Sequence, residues 1–385
     1  MSTFSDKIPV TILTGFLGAG KSTLLNRILK DPAMKDAAVI INEFGDVGID
    51  HLLVESSGDS IIELSDGCLC CTVRGELVDT LANLMDAVQT GRVKPVRRVV
   101  IETTGLADPA PVMQAIMGNP IIAQNFELDG VVTVIDAVNG LQTLDNYEEA
   151  RKQAAVADRL IVSKKSIAGD TDALMARLRG LNPRASLMDA GSEEAGTAHV
   201  LINGLYDPAT KIADVRRWLH DEEEHEHEHE GHHHPHDHDH GHHHHHHGHG
   251  HQDPHDVNRH DASIRSFSII EEKAIDPMVL EMFIDLLRSA HGEKLLRMKA
   301  IIATSDRPER PLVLHGVQSI FHPPVRLAAW PDPEDRRTRM VLITKDLPEA
   351  FVKDLFDAFL GKPRIDTPDR DALSDNPLAI PGMRI

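Results

Sequence analysis

Short, continuous apolar runs recur along the first half of the chain, rich in β-branched residues and bounded by turn or charged positions. Ile8-Pro-Val-Thr-Ile-Leu-Thr14, Ala38-Val-Ile-Ile41, Ser60-Ile-Ile-Glu63, Arg98-Val-Val-Ile101, Val131-Val-Thr-Val-Ile135 and Arg159-Leu-Ile-Val162 make up the series. Runs of this length without polar alternation read as strands covered on both faces, the pattern of a parallel sheet. Helical patterns fall between them, beginning with one through Leu24 and Leu29. The expectation is an α/β domain with a mostly parallel sheet over roughly the first half of the chain.

Residues 220–260 break the pattern. Twenty of the 25 His lie there, interleaved with Gly and with eleven Asp or Glu, and no apolar periodicity survives. Such a stretch buries too little surface to offset its ordering entropy, so it reads as disordered. Patterning resumes at Ser263. Ile264 to Ile270, Arg297 to Ile302, Pro311 to His315 and Arg339 to Ile343 read as strands. Pro277 to Ser289 and Leu347 to Leu360 read as helices, giving a small α+β domain without a catalytic constellation of its own. The division expected is 1–215 for the α/β domain, 216–262 for the His-rich segment, 263–365 for the α+β domain and 366–385 for a flexible tail.

Composition narrows the function classes. No apolar run approaches the roughly 20 residues a membrane span needs, and Met1 to Lys7 lacks the basic start and apolar stretch of a signal peptide. A cytoplasmic protein without a membrane partner is expected. The formal net charge of −20 argues against a nucleic-acid binder, because no broad basic face is on offer. Much of that charge sits in the His-rich segment.

The three Cys all fall within four residues, at Cys68, Cys70 and Cys71. An odd, clustered set is not a disulfide framework; it is a thiolate site. Soft sulfur donors suit Zn²⁺ and also take Co²⁺, Ni²⁺ or Cu(I). Three ligands so close together leave a coordination position for a distant side chain, a client or solvent. A core or redox role for the thiols remains the competing reading.

Gly15-Phe-Leu-Gly-Ala-Gly-Lys-Ser22 fits the phosphate-binding pattern G-x-x-x-x-G-K-[ST], and it follows a strand and opens a helix as that pattern requires. Gly15, Gly18, Ala19 and Gly20 bring backbone N–H groups to the phosphates, Lys21 reaches the β and γ phosphates, and the Ser22 hydroxyl ligates Mg²⁺. A second strand ends in Glu102-Thr-Thr-Gly105. It supplies a carboxylate for Mg²⁺ and a Gly whose N–H can sense the γ-phosphate. Lys21 and Glu102 are therefore the catalytic candidates.

Gly15 to Thr23, Asn42-Glu-Phe-Gly45, Gly67-Cys-Leu-Cys-Cys71 and Glu102 to Pro109, in that order, resemble the CobW-type family of metal-handling P-loop GTPases. Val313 to Pro324 resembles the family's C-terminal domain. The resemblance implies GTP hydrolysis and transfer of zinc, or of cobalt, to an apo-metalloprotein client. It extends the nucleotide contacts to Thr23, Ser163 and Lys164, and adds Glu43 and Asp46 to the three Cys as candidate metal ligands, with Asp50 and His51 nearby. A metal-storage or metal-sensing switch, or cobalt or nickel delivery for enzyme assembly, is the alternative. Oligomeric state stays open between a monomer and a metal- or nucleotide-dependent dimer.

One departure stands out. Where such GTPases carry Asn-Lys-x-Asp, this chain reads Ser163-Lys-Lys-Ser166, and Ser166 lacks the carboxylate that accepts two bonds from guanine. GTP selectivity is expected to weaken while GTP still outcompetes ATP. The His-rich segment reads either as a collector of metal ions or as a solvated linker. Phe321-His-Pro-Pro324 and Trp330 are expected on the client-facing surface of the C-terminal domain.

Overall fold

Period-two alternation along each strand of the first domain sends neighbouring side chains into two separate cores. On one face Val10, Ile12, Ala38, Ile40, Val99 and Ile101 pack together, and on the other Leu13, Val39, Ile41, Val100, Val132 and Ile161 do so. A strand that buries both faces must be covered by helices on both, which is why the runs are continuous rather than alternating. The computed structural model describes residues 7–41, 61–63, 72–202 and 263–362.

The first domain runs β1 (Ile8–Gly15), α1 (Lys21–Ile28), β2 (Ala37–Ile41), β3 (Ile61–Glu63), α2 (Thr72–Gln89), β4 (Arg98–Glu102), α3 (Ala110–Gly118), α4 (Pro120–Asn125), β5 (Phe126–Asp136), α5 (Gly140–Asn146), α6 (Glu148–Ala155), β6 (Arg159–Ser163), α7 (Asp172–Leu181) and β7 (Ser186–Asp189). Its strands lie in the order β3-β2-β4-β1-β5-β6-β7, and every pairing is parallel. The central strand β1 thus has β4 and β5 as neighbours, and all their carboxyl ends open onto one edge, where ligands of such sheets bind.

The second domain contains β8 (Ile264–Glu271), α8 (Pro277–His291), β9 (Leu295–Ile302), β10 (Leu312–Val317), β11 (Ile320–Phe321), β12 (Val325–Arg326), β13 (Thr338–Lys345) and α9 (Glu349–Phe359). Its sheet is antiparallel in the order β11-β10-β9-β13-β8, with β12 paired to β10. The two helices cover one face, where Phe283 meets Phe356 edge to face at 5.0 Å above Met298, Met340 and Leu342. Asp276 caps α8 by accepting from the Met278 N–H at 2.8 Å, which starts the helix at Pro277.

Trp330 corrects an expectation. It is not on the surface but packs with Ile301, Ala303, Val313 and Leu327, and its Nε1 donates to the Pro308 carbonyl at 2.7 Å. A large aromatic ring with a satisfied N–H is more stable covering the open face of β9 and β10 than facing water.

The two domains share packing and charge. Ile264, Leu296, Val317 and Ile343 of the second domain join the larger core of the first. Arg297 of β9 reaches both Asp158 oxygens through Nη2, at 2.7 and 2.8 Å, and donates through Nη1 to the Val156 carbonyl, while Lys299 reaches the same carboxylate. Lys345 pairs with Glu148, Gln114 bonds Gln318, and Arg184 donates to Ser268 at 2.8 Å. Among the described residues no helix is long and apolar enough to cross a membrane.

Candidate nucleotide site

β1 ends at Gly15, whose φ of 142° is closed to ordinary side chains; a Cβ there would drive into the Val134 carbonyl of β5. Gly18 at φ 72° and Gly20 at φ 96° then reverse the chain so that α1 begins at Lys21. Successive N–H groups on such a turn, followed by a helix N-terminus, form an anion-binding concavity. Lys21 is buried, and its Nζ donates to the Gly15 carbonyl at 3.0 Å, so the ammonium lies across the loop. Thr23 sits exposed on the first turn of α1.

Glu102 closes β4, directly opposite Leu13 in the register of β1, and is only 3% exposed. The register delivers it to Ser22, whose Oγ donates to Glu102 Oε1 at 2.9 Å. Two hard oxygen donors 80 positions apart in sequence thereby meet beside the loop, the donor set that Mg²⁺ takes. Thr103 fixes the exit from β4 through its N–H to the Leu13 carbonyl at 3.0 Å and its hydroxyl to Thr14 at 2.7 Å. Gly105 then presses on the phosphate loop: a Cβ there would lie 2.5 Å from Leu17 N and 2.7 Å from Leu17 Cα. Only glycine permits that approach.

On the other side of the loop, Ser163 Oγ donates to the Ala19 carbonyl at 2.6 Å. Lys164, in the left-handed region at φ 58°, places its Nζ 2.8 Å from both the Gly18 carbonyl and Asp136 Oδ2. Burial acts to raise the Asp136 pKa, but bonds from Lys164, the Val138 N–H and Asn139 outweigh it and hold the carboxyl below its ordinary range. Ser166 is exposed beyond this turn. After β7, Asp189 accepts from the Gly191 N–H at 2.7 Å, and Arg27 of α1 donates to the carbonyls of Ala190 and Ser192. The loops after β6 and β7 are thus fastened to the phosphate loop and its helix.

A family profile described as the CobW/HypB/UreG nucleotide-binding domain matches residues 9–189, and one described as the cobalamin synthesis protein cobW C-terminal domain matches 264–360. The zinc chaperone CobW of a Sinorhizobium species is 31% identical over 380 residues, covering 90% of this chain and 96% of that protein. The chain belongs to the CobW family. The zinc chaperone YjiA of Escherichia coli is 29% identical over 355 residues, covering 91% of this chain and 98% of that protein. A crystal structure of Zn(II)-bound YjiA GTPase from E. coli superposes with a TM-score of 0.62 at 25% identity, covering 92% of this chain and 99% of that one.

Within this CobW chain, Gly15, Gly18, Ala19, Gly20, Lys21, Ser22, Gly105, Ser163 and Lys164 come together around one loop, and Glu102 joins them through Ser22. Cys68, Cys70, Cys71, Glu43, Asp46, Asp50, His51 and the His-rich segment lie outside the described residues. Among the described residues no group of three or more His, Cys, Asp or Glu could hold a metal ion. Two participants escaped the sequence reading. Asp136 sits one position beyond the apolar run of β5, and a carboxylate at the carboxyl edge of a central strand was the available signal. Gln153, whose Nε2 donates to the Gly105 carbonyl at 3.2 Å, lies in the last turn of α6 and gave no signal at all.

Proposed function

We propose that the protein is a zinc-handling GTPase in which the loop from Gly15 to Ser22 binds and hydrolyses GTP, while Cys68, Cys70 and Cys71 carry the metal ion to a client protein. The observation that carries the nucleotide half is the meeting of Ser22 Oγ and Glu102 Oε1 at 2.9 Å, with Gly105 against Leu17 beside them. Full-length relatives bearing the name zinc chaperone support the metal half. The cytoplasm, where thiolates stay reduced, is the compartment such a site needs.

Ser22 and Glu102 would hold Mg²⁺, which supplies charge neutralisation at the β and γ phosphate oxygens. Lys21 swings from the Gly15 carbonyl onto the same oxygens. The Gly105 N–H faces the γ-phosphate. In hydrolysis a water oxygen bonds to the γ-phosphorus as the bond to the β–γ bridging oxygen breaks, yielding GDP, inorganic phosphate and a released proton. Loss of the γ-phosphate then releases the backbone around Gly105 and loosens the metal for delivery. The boundaries 1–215, 216–262, 263–365 and 366–385 divide these labours, the His-rich segment acting as a collector of metal ions.

Coupling of this kind is reciprocal: if GTP tightens zinc binding, zinc tightens GTP binding by the same factor. Zinc competition against a chromophoric chelator, run in the GTP-analogue and GDP forms, reads it directly. A higher affinity in the GTP-analogue form is expected. Equal affinities, or no transfer of zinc to an apo-enzyme on hydrolysis, would remove the delivery role.

A further inference from the structure

Gln153 on α6 is 1% exposed, and burying a primary amide costs free energy unless its hydrogens find acceptors. Its Nε2 donates to the Gly105 carbonyl at 3.2 Å and to the Ala107 carbonyl at 2.9 Å. The orientation is forced, since the flipped amide would set its oxygen against two carbonyl oxygens. One side chain therefore clamps both ends of the segment that carries Gly105, whose other face rests on Leu17. Gly105, whose N–H the proposed function assigns to the γ-phosphate, is thus held between the phosphate loop and α6.

The same helix is fastened to the second domain. Thr133 of β5 donates to the Gln153 carbonyl at 2.8 Å and fixes the helix against the sheet. Lys152 bridges Asp108, three residues beyond Gly105, and Glu148, at 3.2 and 3.1 Å. Glu148 in turn pairs with Lys345 of β13. At the far end of α6 the Val156 carbonyl accepts from Arg297 of β9. The loop after Glu102 and the C-terminal domain thus both hold one eight-residue helix.

We propose that Gln153 is a positioning residue for GTP hydrolysis, and that α6 makes the position of Gly105, and so the hydrolysis rate, answer to the C-terminal domain. This rests on the GTPase reading above. The helix is one rigid element whose placement both sides bias, which is the physical requirement for coupling between them. Whatever docks on the C-terminal domain and shifts β13 or β9 moves the clamp, so a client reports its presence to the nucleotide.

The test uses the full-length chain and compares wild type, Gln153→Met, Gln153→Glu and Lys345→Ala. Met keeps the length and removes both donors; Glu keeps the shape and opposes two carbonyl oxygens with a third acceptor. For Gln153→Met, kcat falls about 10- to 100-fold, as a displacement of about 1 Å at a reacting group costs. GDP affinity and the KM for GTP stay unchanged, because the clamp acts where only the γ-phosphate reaches. Lys345→Ala, remote from the phosphates, changes kcat about 2- to 30-fold with the melting temperature held. A lowered melting temperature with kcat intact in both Gln153 variants would make the residue merely structural and overturn the proposal. An unchanged kcat in Lys345→Ala would overturn its link to the C-terminal domain, and this arm decides even if both Gln153 variants fail to fold. Wild type no faster than a Lys21→Ala control would instead sink the GTPase reading itself.

Discussion

Two buried carboxylates in the first domain answer to different partners. Asp158, just before β6, takes one guanidinium nitrogen of Arg297 on both its oxygens, the ammonium of Lys299 and the Val131 N–H. Glu102, at the end of β4, takes the neutral hydroxyl of Ser22. A carboxylate met by fixed cations is committed to one arrangement and serves as structure; here it fastens one domain to the other. Glu102 instead lies at the edge of the phosphate loop with the Ser22 oxygen beside it, which is where the proposed Mg²⁺ would be held. The first is a bolt and the second a socket, and their burial alone would not tell them apart.

Substitution separates them most sharply. Glu102→Gln keeps an acceptor for Ser22 and nearly the same volume, so its melting temperature should hold while kcat for GTP falls about 10²- to 10³-fold, the scale for losing one group that stabilises a phosphoryl transition state. Asp158→Ala should do the reverse. It strands the Arg297 guanidinium, whose side chain is 7% exposed, and breaking such a pair costs about 3–5 kcal/mol in unfolding free energy. Urea denaturation and phosphate release on both variants read the pair. A destabilised Glu102→Gln with normal turnover would erase the distinction.

Acid titration is the next largest effect, and it follows from the bolt. Burial acts to raise the Asp158 pKa, but Arg297 and Lys299 outweigh it and hold the carboxyl far below the ordinary carboxylate range. In the second domain, burial likewise opposes the bonds from Arg337 and the charge of Arg339, yet Asp335 is lowered to about 2. Both are depressed acids, so their stabilisation is complete above the unfolded value of about 4 and drains away as pH falls toward the folded one. The urea midpoint should therefore fall steadily once the pH drops below about 4 to 5. A midpoint that rises on acidification from pH 5 to pH 3 would contradict both assignments.

The sequence made the socket legible and hid the bolt. The phosphate loop is local: Gly15, Gly18, Gly20, Lys21 and Ser22 lie within eight positions, and each residue type has one physical reason to be there. The sheet was legible because strands buried on both faces must be apolar throughout, as in Val99 to Ile101. Asp158 and Arg297 are 139 positions apart, and nothing periodic links them. Gln153 looks like any polar residue on a helix until the chain returns from Gly105 to meet it. Trp330 was expected on the surface from the resemblance and by elimination, with no local signal for its burial, whereas it packs with Ile301 and Val313. Helix ends shifted for the same reason: α8 runs on to His291, where a ring contact at 5.0 Å with Phe351 of α9 holds the last turn.

The smallest expected effect concerns the base, where the socket departs from its relatives' pattern. In the proposed reading Ser163 and Lys164 belong to the base-reading turn; Ser163 Oγ ties Ala19, and Lys164 Nζ ties Gly18 to Asp136. These bonds fasten the turn to the phosphate loop, and its fourth residue is Ser166. A hydroxyl there can make one neutral bond to the guanine edge, where a carboxylate would make two charge-assisted ones. Installing the carboxylate with Ser166→Asp should raise the preference for GTP over ATP by about 10-fold or somewhat more, matching the roughly 1.5–3 kcal/mol of a hydrogen bond to a charged group. Because Ser166 is exposed and its neighbours are already fastened, the substitution should leave the melting temperature unmoved. Competition titrations with GTP and ATP on both proteins measure the change. If the preference does not move, guanine is being read elsewhere, and the loop from Asp189 to Ser192, held by Arg27 at the same sheet edge, becomes the place to look.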